Sequence, residues 1–535
     1  MAESVAIKRP RREPLPDRLI NHVVVDYGSS KAFVDRAKLG DPLFLTWLDR
    51  LRGAGVALVP IATDLDEVIR LKEEFGASTD GQNSDQHEML NRAAAISILE
   101  RAAGLGASDV HIMVKKTLTE VQFRIKGGLR VSERLSQADG EPIARALFQG
   151  VANVKDGSYI PMEFQNGQIS SEEIRALGLS SVRLVRGPCY PEEEGGSFVV
   201  MRLQYGEFKS KSAAVGNLQI PRQPEGALRL AEMGYTPKQV KLLKMLARNP
   251  SGIILLTGPT GSGKTTTLFE MLAHVARERP GKRQVTIEDP IEYPMPWAIQ
   301  LAVTNANSGQ DAGNAFTKRS RVSLRMDPDI IMVGEIRDKE VAKVAFDASI
   351  TGHQVWSTVH VTDPFLTIDR IESLDPLNLS RKIICDHKIL RGMVSQRLVP
   401  KLCPHCSESI HDHAEELPEG MLDALNTWGD LSQVRVRGKG CSHCGDGYSG
   451  LMAVAEIVVT DLGLMRDFVS LGTDQARRNF RVREDSDKSL LENAMDRVLE
   501  GVFDPRDVED KVDLILPKGM DDALEYHLDS RRDGQ

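Results

Sequence analysis

An apolar run, Ile253-Ile-Leu-Leu256, leads through Thr257 into Gly258-Pro-Thr-Gly-Ser-Gly-Lys-Thr265, and then into Thr266-Thr-Leu-Phe-Glu-Met-Leu-Ala273. Strand, glycine-rich turn and helix in immediate succession commit this part of the chain to an α/β arrangement. Glycines 258, 261 and 263 permit a tight loop with positive φ, and Pro259, Thr260 and Ser262 fill the positions between them. The N–H groups of such a loop converge on one point, and the helix that follows adds its positive dipole end. That environment suits the crowded negative oxygens of a nucleoside triphosphate. Lys264 would reach the β and γ phosphates as a point charge, the Thr265 hydroxyl would complete a magnesium shell, and Thr266 continues the same turn. ATP and Mg2+ are the expected ligands.

At 535 residues the chain has room for two to four domains. Its net charge of −8 supplies no global basic field, so direct nucleic-acid binding is not expected and any affinity for DNA should be weak and salt-sensitive. The basic cluster Lys8-Arg-Pro-Arg-Arg-Glu13 reads as a solvated arm. The chain opens without the pattern of a signal peptide, and no apolar run approaches the roughly 20 residues that span a bilayer, which predicts a cytoplasmic protein.

Residues 1–85 read as a small domain ending in the polar linker Ser78-Thr-Asp-Gly-Gln-Asn-Ser84. Helical spacing follows over 88–103, then strands at Val121-Gln-Phe-Arg-Ile125, Ser181-Val-Arg-Leu-Val185 and Phe198-Val-Val-Met-Arg-Leu203. These predict an α+β domain over 88–205, a hinge over 206–222, a nucleotide-binding domain over 223–515 and a tail over 516–535.

Three acidic or histidine-bearing blocks lie downstream of the glycine-rich loop. Val285-Thr-Ile-Glu-Asp-Pro-Ile-Glu-Tyr293 ends an apolar strand in Glu288, Asp289 and Glu292, carboxylates able to bind magnesium indirectly and polarise water. Asp327-Pro-Asp-Ile-Ile-Met-Val-Gly-Glu-Ile-Arg-Asp338 delivers Glu335 to the C-terminal end of a strand, the edge where open α/β sheets bind ligands. Gly334 stands where an acidic residue is usual, which leaves a water-mediated magnesium contact or a direct role for Glu335. In Thr351-Gly-His-Gln-Val-Trp-Ser-Thr-Val-His360, His353 and His360 bracket a short strand, as suits a sensor of the γ-phosphate.

Cys403-Pro-His-Cys406 and Cys441-Ser-His-Cys444 form two CxxC knuckles on either side of residues 407–440, a set suited to one tetrahedral Zn2+ within an insert over 400–450. His405 and His443 lie inside the knuckles and offer alternative ligands, whereas a redox pair fits two symmetric knuckles poorly. Cys189 and Cys385 read as buried thiols.

Together these blocks resemble the ATPases of type II secretion and type IV pilus assembly, a branch of the hexameric secretion ATPases. Ala107-Ser-Asp-Val-His-Ile112 with Val121-Gln-Phe-Arg-Ile-Lys-Gly127 is similar to the family's second N-terminal domain, and 316–325 to its arginine-bearing helix, with Arg321 and Arg325 on matching positions. The resemblance implies a RecA-like P-loop ATPase core, an α+β, PAS-like N-terminal domain and a zinc-binding insert of the kind found in assembly rather than retraction motors. It further implies a hexameric ring, peripheral to the inner membrane through a platform protein, in which Arg124, Arg183 and Arg202 of one subunit cap the nucleotide of its neighbour. Met113-Val114, Ser197 and Leu451 depart from the family pattern and suggest a divergent branch, such as type IVb or conjugative thin pili. Type II secretion or DNA uptake are the alternative duties. A non-hydrolysing, nucleotide-gated scaffold or a zinc-containing nucleic-acid binder is the alternative of a different class.

Overall fold

The computed structural model describes residues 15, 19, 23–26, 29–53, 56–206, 218–303 and 309–520. The basic cluster at 8–13, most of the expected hinge and most of the tail lie outside them. Contacts divide the chain into two units, 1–95 and 96–535.

The small unit holds a three-stranded sheet of Val23–Asp26, Lys31–Asp35 and Val59–Thr63, the first pair antiparallel and the second parallel. A parallel pair needs a crossover, and the helix Pro42–Gly53 supplies it. Asp41 opens this helix by accepting from Leu43 N, and Phe44, Trp47, Leu48 and Leu51, spaced along one helical face, are buried. The expected linker at 78–84 falls instead inside a helix, Leu65–Gly104. No proline interrupts these residues, and the good helix formers on either side carry the backbone through.

The larger unit begins with a seven-stranded antiparallel sheet. Its spatial order is Gly128–Leu135, Thr119–Ile125, Asp109–Val114, Ser197–Tyr205, Leu179–Pro188, Gln165–Ile169 and Val154–Lys155. The first two strands are joined by the two-residue turn Lys126-Gly127, both at positive φ, as a tight hairpin requires. Gln219, in the part of the expected hinge that is described, bridges to Val131 on this sheet's edge strand.

A second seven-stranded sheet runs Ile299–Ala302, Gln284–Glu288, Ile330–Val333, Gln354–Val359, Gly252–Thr257, Leu390–Leu402, Tyr448–Val459, parallel except for the last strand. Gly252–Thr257, Ile330–Val333 and Gln354–Val359 are buried along their whole length, which explains why they read as apolar runs rather than alternations. The register pairs Thr257 with Val359, Val333 with Ser357 and Ile287 with Val333. The glycine-rich loop, His360, Gly334-Glu335 and Glu288 therefore leave the sheet at one edge.

The two sheets of this unit meet across a buried ionic cluster centred on Asp327. Its carboxylate accepts from His111 Nε2 at 3.0 Å, from Arg124 Nε and from Arg202 Nη2 at 3.1 Å, residues on three different strands of the first sheet. Arg124 also donates to Asp329 Oδ2 at 2.9 Å, and Arg202 to Asp109 Oδ1 at 2.8 Å. Arg283 crosses from the second sheet, fully buried, to Gln122 Oε1 and Met113 Sδ. Burial alone would raise the Asp327 carboxyl, but hydrogen bonds from His111 and Arg124 hold it down at about 2. His111 is pushed down to about 4, first by complete burial and then by the Arg283 charge.

That last shift has a consequence for stability. The unfolded chain protonates His111 near its ordinary value of about 6.5, well before the folded chain does, so stability is whole above that pH and falls as pH drops toward 4. The full loss is about 3 kcal/mol, of which about 2 is gone by pH 5. Urea titrations at pH 7 and pH 5 should show this difference, and His111→Gln should flatten it.

Candidate active site

The loop Gly258 to Thr265 takes the conformation its glycines permit, with φ of +143°, +78° and +82° at Gly258, Gly261 and Gly263. Gly263 serves as the N-cap of the helix Lys264–Glu278, so the loop's last peptides point along the helix axis. A cavity of about 450 Å³ opens over it, and residues 260–266 form one wall. Lys264 Nζ donates to Gly258 O at 2.9 Å and Pro259 O at 2.8 Å, and burial lowers the ammonium pKa, a charge held ready in a partly dry site. Thr265 lines the same cavity, and Thr266 Oγ1 lies 2.9 Å from Tyr293 OH.

The opposite wall is acidic: Glu288, Asp289, Glu292 and Glu335 line it together with Arg337 and His360. Glu335 Oε1 lies 3.2 Å from His360 Nε2, and Oε2 accepts from Arg337 Nε at 2.7 Å. Arg337 Nη1 also reaches Asp289 Oδ2 at 3.4 Å. Glu288 is almost wholly buried and its pKa is raised by that burial. Thr286 Oγ1 and Gln300 Nε2 both donate to its Oε1, at 2.5 and 3.0 Å. Glu288 is thus tied into the sheet, whereas Glu335 stands on the strand exit with cationic or polar neighbours at both oxygens. Arg337 was not singled out from the sequence. The signal was present, since an extended exit puts residues 335 and 337 on the same side.

Not every expected residue reaches this cavity. His353 precedes Gln354–Val359 and contacts Ala348 O at 3.0 Å through Nδ1. A six-residue strand spans about 20 Å, so two histidines that bracket it stand at opposite edges of the sheet, and only His360 is on the loop's side. The arginine-bearing helix is Gly309–Ser323, with Arg321 in its last turn, exposed and 3.8 Å from Glu340, and Arg325 beyond its end. Arg183, Arg202 and Arg325 line a separate cleft of about 590 Å³ between the antiparallel sheet and the 324–327 turn, where Arg325 Nη1 donates to Asn166 Oδ1 at 3.1 Å. Arg124 lies buried in the Asp327 cluster. None of these arginines lines the cavity over the loop of its own chain.

The chain matches the family described as type II/IV secretion system protein over residues 214–510. It belongs to that family. This secretion-family chain is 31% identical over 450 residues to the putative type II secretion system protein E of Escherichia coli (strain K12), covering 82% of this chain and 81% of that protein. It is 32% identical over 407 residues to the type IV pilus assembly ATPase PilB of Thermus thermophilus. That match covers 74% of this chain but spans only 40% of the relative's length. The crystal structure of the pilus retraction motor PilT with bound ADP aligns with 81% of this chain and 98% of its own, at 22% identity and a TM-score of 0.40. No helix among the described residues of this secretion-family chain is long and apolar enough to cross a membrane.

The two CxxC knuckles of the family member come together although residues 407–440 lie between them. All four Sγ atoms sit within 4.8 Å of one another, with Cys403 to Cys441 at 3.9 Å, Cys406 to Cys444 at 3.6 Å and Cys441 to Cys444 at 3.7 Å. Four thiolates bonded to zinc at about 2.3 Å stand about 3.8 Å apart along a tetrahedron's edges, so this donor set fits the ion. Gly447 N donates to Cys444 Sγ at 3.2 Å, a supporting contact of the kind thiolate ligands use. His405 and His443 stack on each other, centroids 4.1 Å apart, outside the four-sulfur group. Burial pushes the Cys189 and Cys385 thiols up to about 12, away from the thiolate form; Cys189 is buried as expected, whereas Cys385, at the end of a short helix, is only partly covered.

Proposed function

We propose that this chain is the ATP-hydrolysing motor subunit of a type IV pilus assembly machine, working as a hexameric ring at the inner membrane through a platform protein. The observation that carries the reading is the meeting of Lys264, Glu335 and His360 around one cavity above a glycine loop. Lys264 and the loop amides bind the phosphates, Glu335 orients the attacking water and takes up its proton, and His360 reports the presence of the γ-phosphate. The Thr265 hydroxyl with the Asp289 and Glu288 carboxylates offers the oxygen donors that a hard cation prefers, and bound magnesium would neutralise charge on the β and γ phosphates. Arg183 and Arg325, which have no carboxylate within ion-pair distance among the described residues, are the arginines best placed to serve a neighbouring subunit.

Cys403, Cys406, Cys441 and Cys444 would hold a structural zinc that closes the 407–440 excursion, the feature that favours assembly over retraction. Cys403→Ser is expected to remove one equivalent of zinc by elemental analysis and to open residues 403–444 to protease, with the sheet's melting little changed. Identity to a type II protein E over most of both chains supports a second reading, in which the same ring drives type II secretion. A deletion strain separates them, because the first reading predicts loss of surface filaments and the second loss of exported proteins.

Magnesium-dependent hydrolysis by the purified protein, with ring formation followed by light scattering in the same samples, tests the core of the proposal. Rings that load ATP but do not turn it over, even with the platform protein present, would replace the motor by a nucleotide-gated scaffold.

A further inference from the structure

Gln396 has no exposed surface and takes no part in the chemistry above. It sits on Leu390–Leu402, the parallel neighbour of the strand that feeds the glycine loop. Its amide Nε2 donates to Ser262 O at 2.6 Å, and its Oε1 accepts from Tyr235 OH at 2.5 Å and from Thr267 Oγ1 at 2.8 Å. With two hydroxyls facing the oxygen and a carbonyl facing the nitrogen, the amide has one satisfied orientation. Tyr235 and Thr267 are themselves buried, so the arrangement has no water to fall back on.

The same residue moulds both ends of the loop. A Cβ at Gly258 would come 2.4 Å from Gln396 O, and one at Gly263 would come 2.8 Å from Gln396 Nε2. Two of the loop's glycines are therefore required by the neighbouring strand as well as by their positive φ.

The consequence lies in the peptide between Ser262 and Gly263. In a trans peptide the C=O and the following N–H point in opposite directions. A Ser262 carbonyl held toward Gln396 turns the Gly263 N–H the other way, toward the phosphate side of the loop. We propose that Gln396, set by Tyr235, is a positioning residue that locks this peptide so that the Gly263 amide is presented to the nucleotide's phosphates. The inference rests on the nucleotide reading above and adds a residue that acts through the loop rather than on the ligand.

Fluorescent ATP and ADP analogues, titrated into the full chain and into Gln396→Glu and Tyr235→Phe, test it. As a carboxylate, Gln396→Glu keeps the size and both acceptor contacts but cannot donate to Ser262 O. It should weaken both nucleotides about tenfold or more, and raise KM more than it lowers kcat, because the cradle is disturbed and the water-orienting side is not. Tyr235→Phe removes one of the two donors that set the amide, Thr267 Oγ1 being the other, and should weaken binding about three- to tenfold, which keeps the test open if the first variant fails to fold. Folded variants that both bind within twofold of wild type would reduce Gln396 to packing and overturn the proposal while leaving the nucleotide reading intact. A wild-type chain that binds neither analogue would overturn both.

Discussion

Glu335→Gln is expected to cut kcat for ATP hydrolysis by about 10²- to 10⁴-fold, the range general-base catalysis supplies, while KM stays within a few-fold of wild type. The substitution keeps the side chain's shape and one oxygen, so the cavity and its phosphate contacts persist. What disappears is the negative charge that, in the proposed mechanism, orients water and accepts its proton. Glu288 is not expected to replace it, since both protein donors to that carboxylate go to one oxygen and tie it into a buried strand. Steady-state kinetics with ring formation monitored in parallel decides the matter. Turnover within tenfold of wild type would move the base to another carboxylate of the acidic wall, with Glu288→Gln the next variant to measure.

Asp327→Ala should destabilise the larger unit by about 3 kcal/mol or more. Arg124 is almost wholly buried and His111 wholly so, and the substitution strips a partner from each and from Arg202 at once. Asp329 still reaches Arg124, which holds the loss to the lower part of the range for a broken buried pair. A second penalty comes from the backbone, because residue 327 has φ +52°, where aspartate and asparagine are tolerated and alanine is strained. Asp327→Asn, which keeps the backbone preference and the size but not the charge, should therefore cost less than Asp327→Ala. Denaturant unfolding of the two variants, with amide exchange read over residues 109–125, would show the order. Equal melting of wild type and Asp327→Ala would mean that the cluster does not hold the two sheets together. Asp327 leads into Ile330–Val333, whose exit carries Glu335, so the same variants show whether docking of the first sheet bears on the candidate active site.

The parts of this protein that could be read from residues alone were those in which chemistry is compressed into a short contiguous run. Gly258 to Thr265 needs only its own glycines and the flanking strand and helix to declare itself. Glu335 is announced by the apolar strand that delivers it, and the cysteines by two CxxC knuckles of the same spacing. The continuous helix over 78–84 was hidden because serine, asparagine and aspartate favour turns and helix caps locally, yet do not forbid a helix whose flanks are strong. His353 and His360 looked equivalent on the page, although the six-residue strand between them already put them at opposite edges.

An α/β protein with a glycine-rich strand-to-helix loop, an acidic strand exit and a four-thiol site was legible from residues alone, because each depends on residue type at short fixed spacing. Long-range neighbours became visible once the strands were placed side by side. Arg124 and Arg202, which the family resemblance implies cap a neighbour's nucleotide, reach Asp327 within their own chain more than a hundred positions away, and Gln396 grips a loop that precedes it by a comparable distance. A buried arginine must find a carboxylate and a buried amide must find both donor and acceptor. Which ones they find depends on the order in which strands lie side by side, and local patterns do not encode that order.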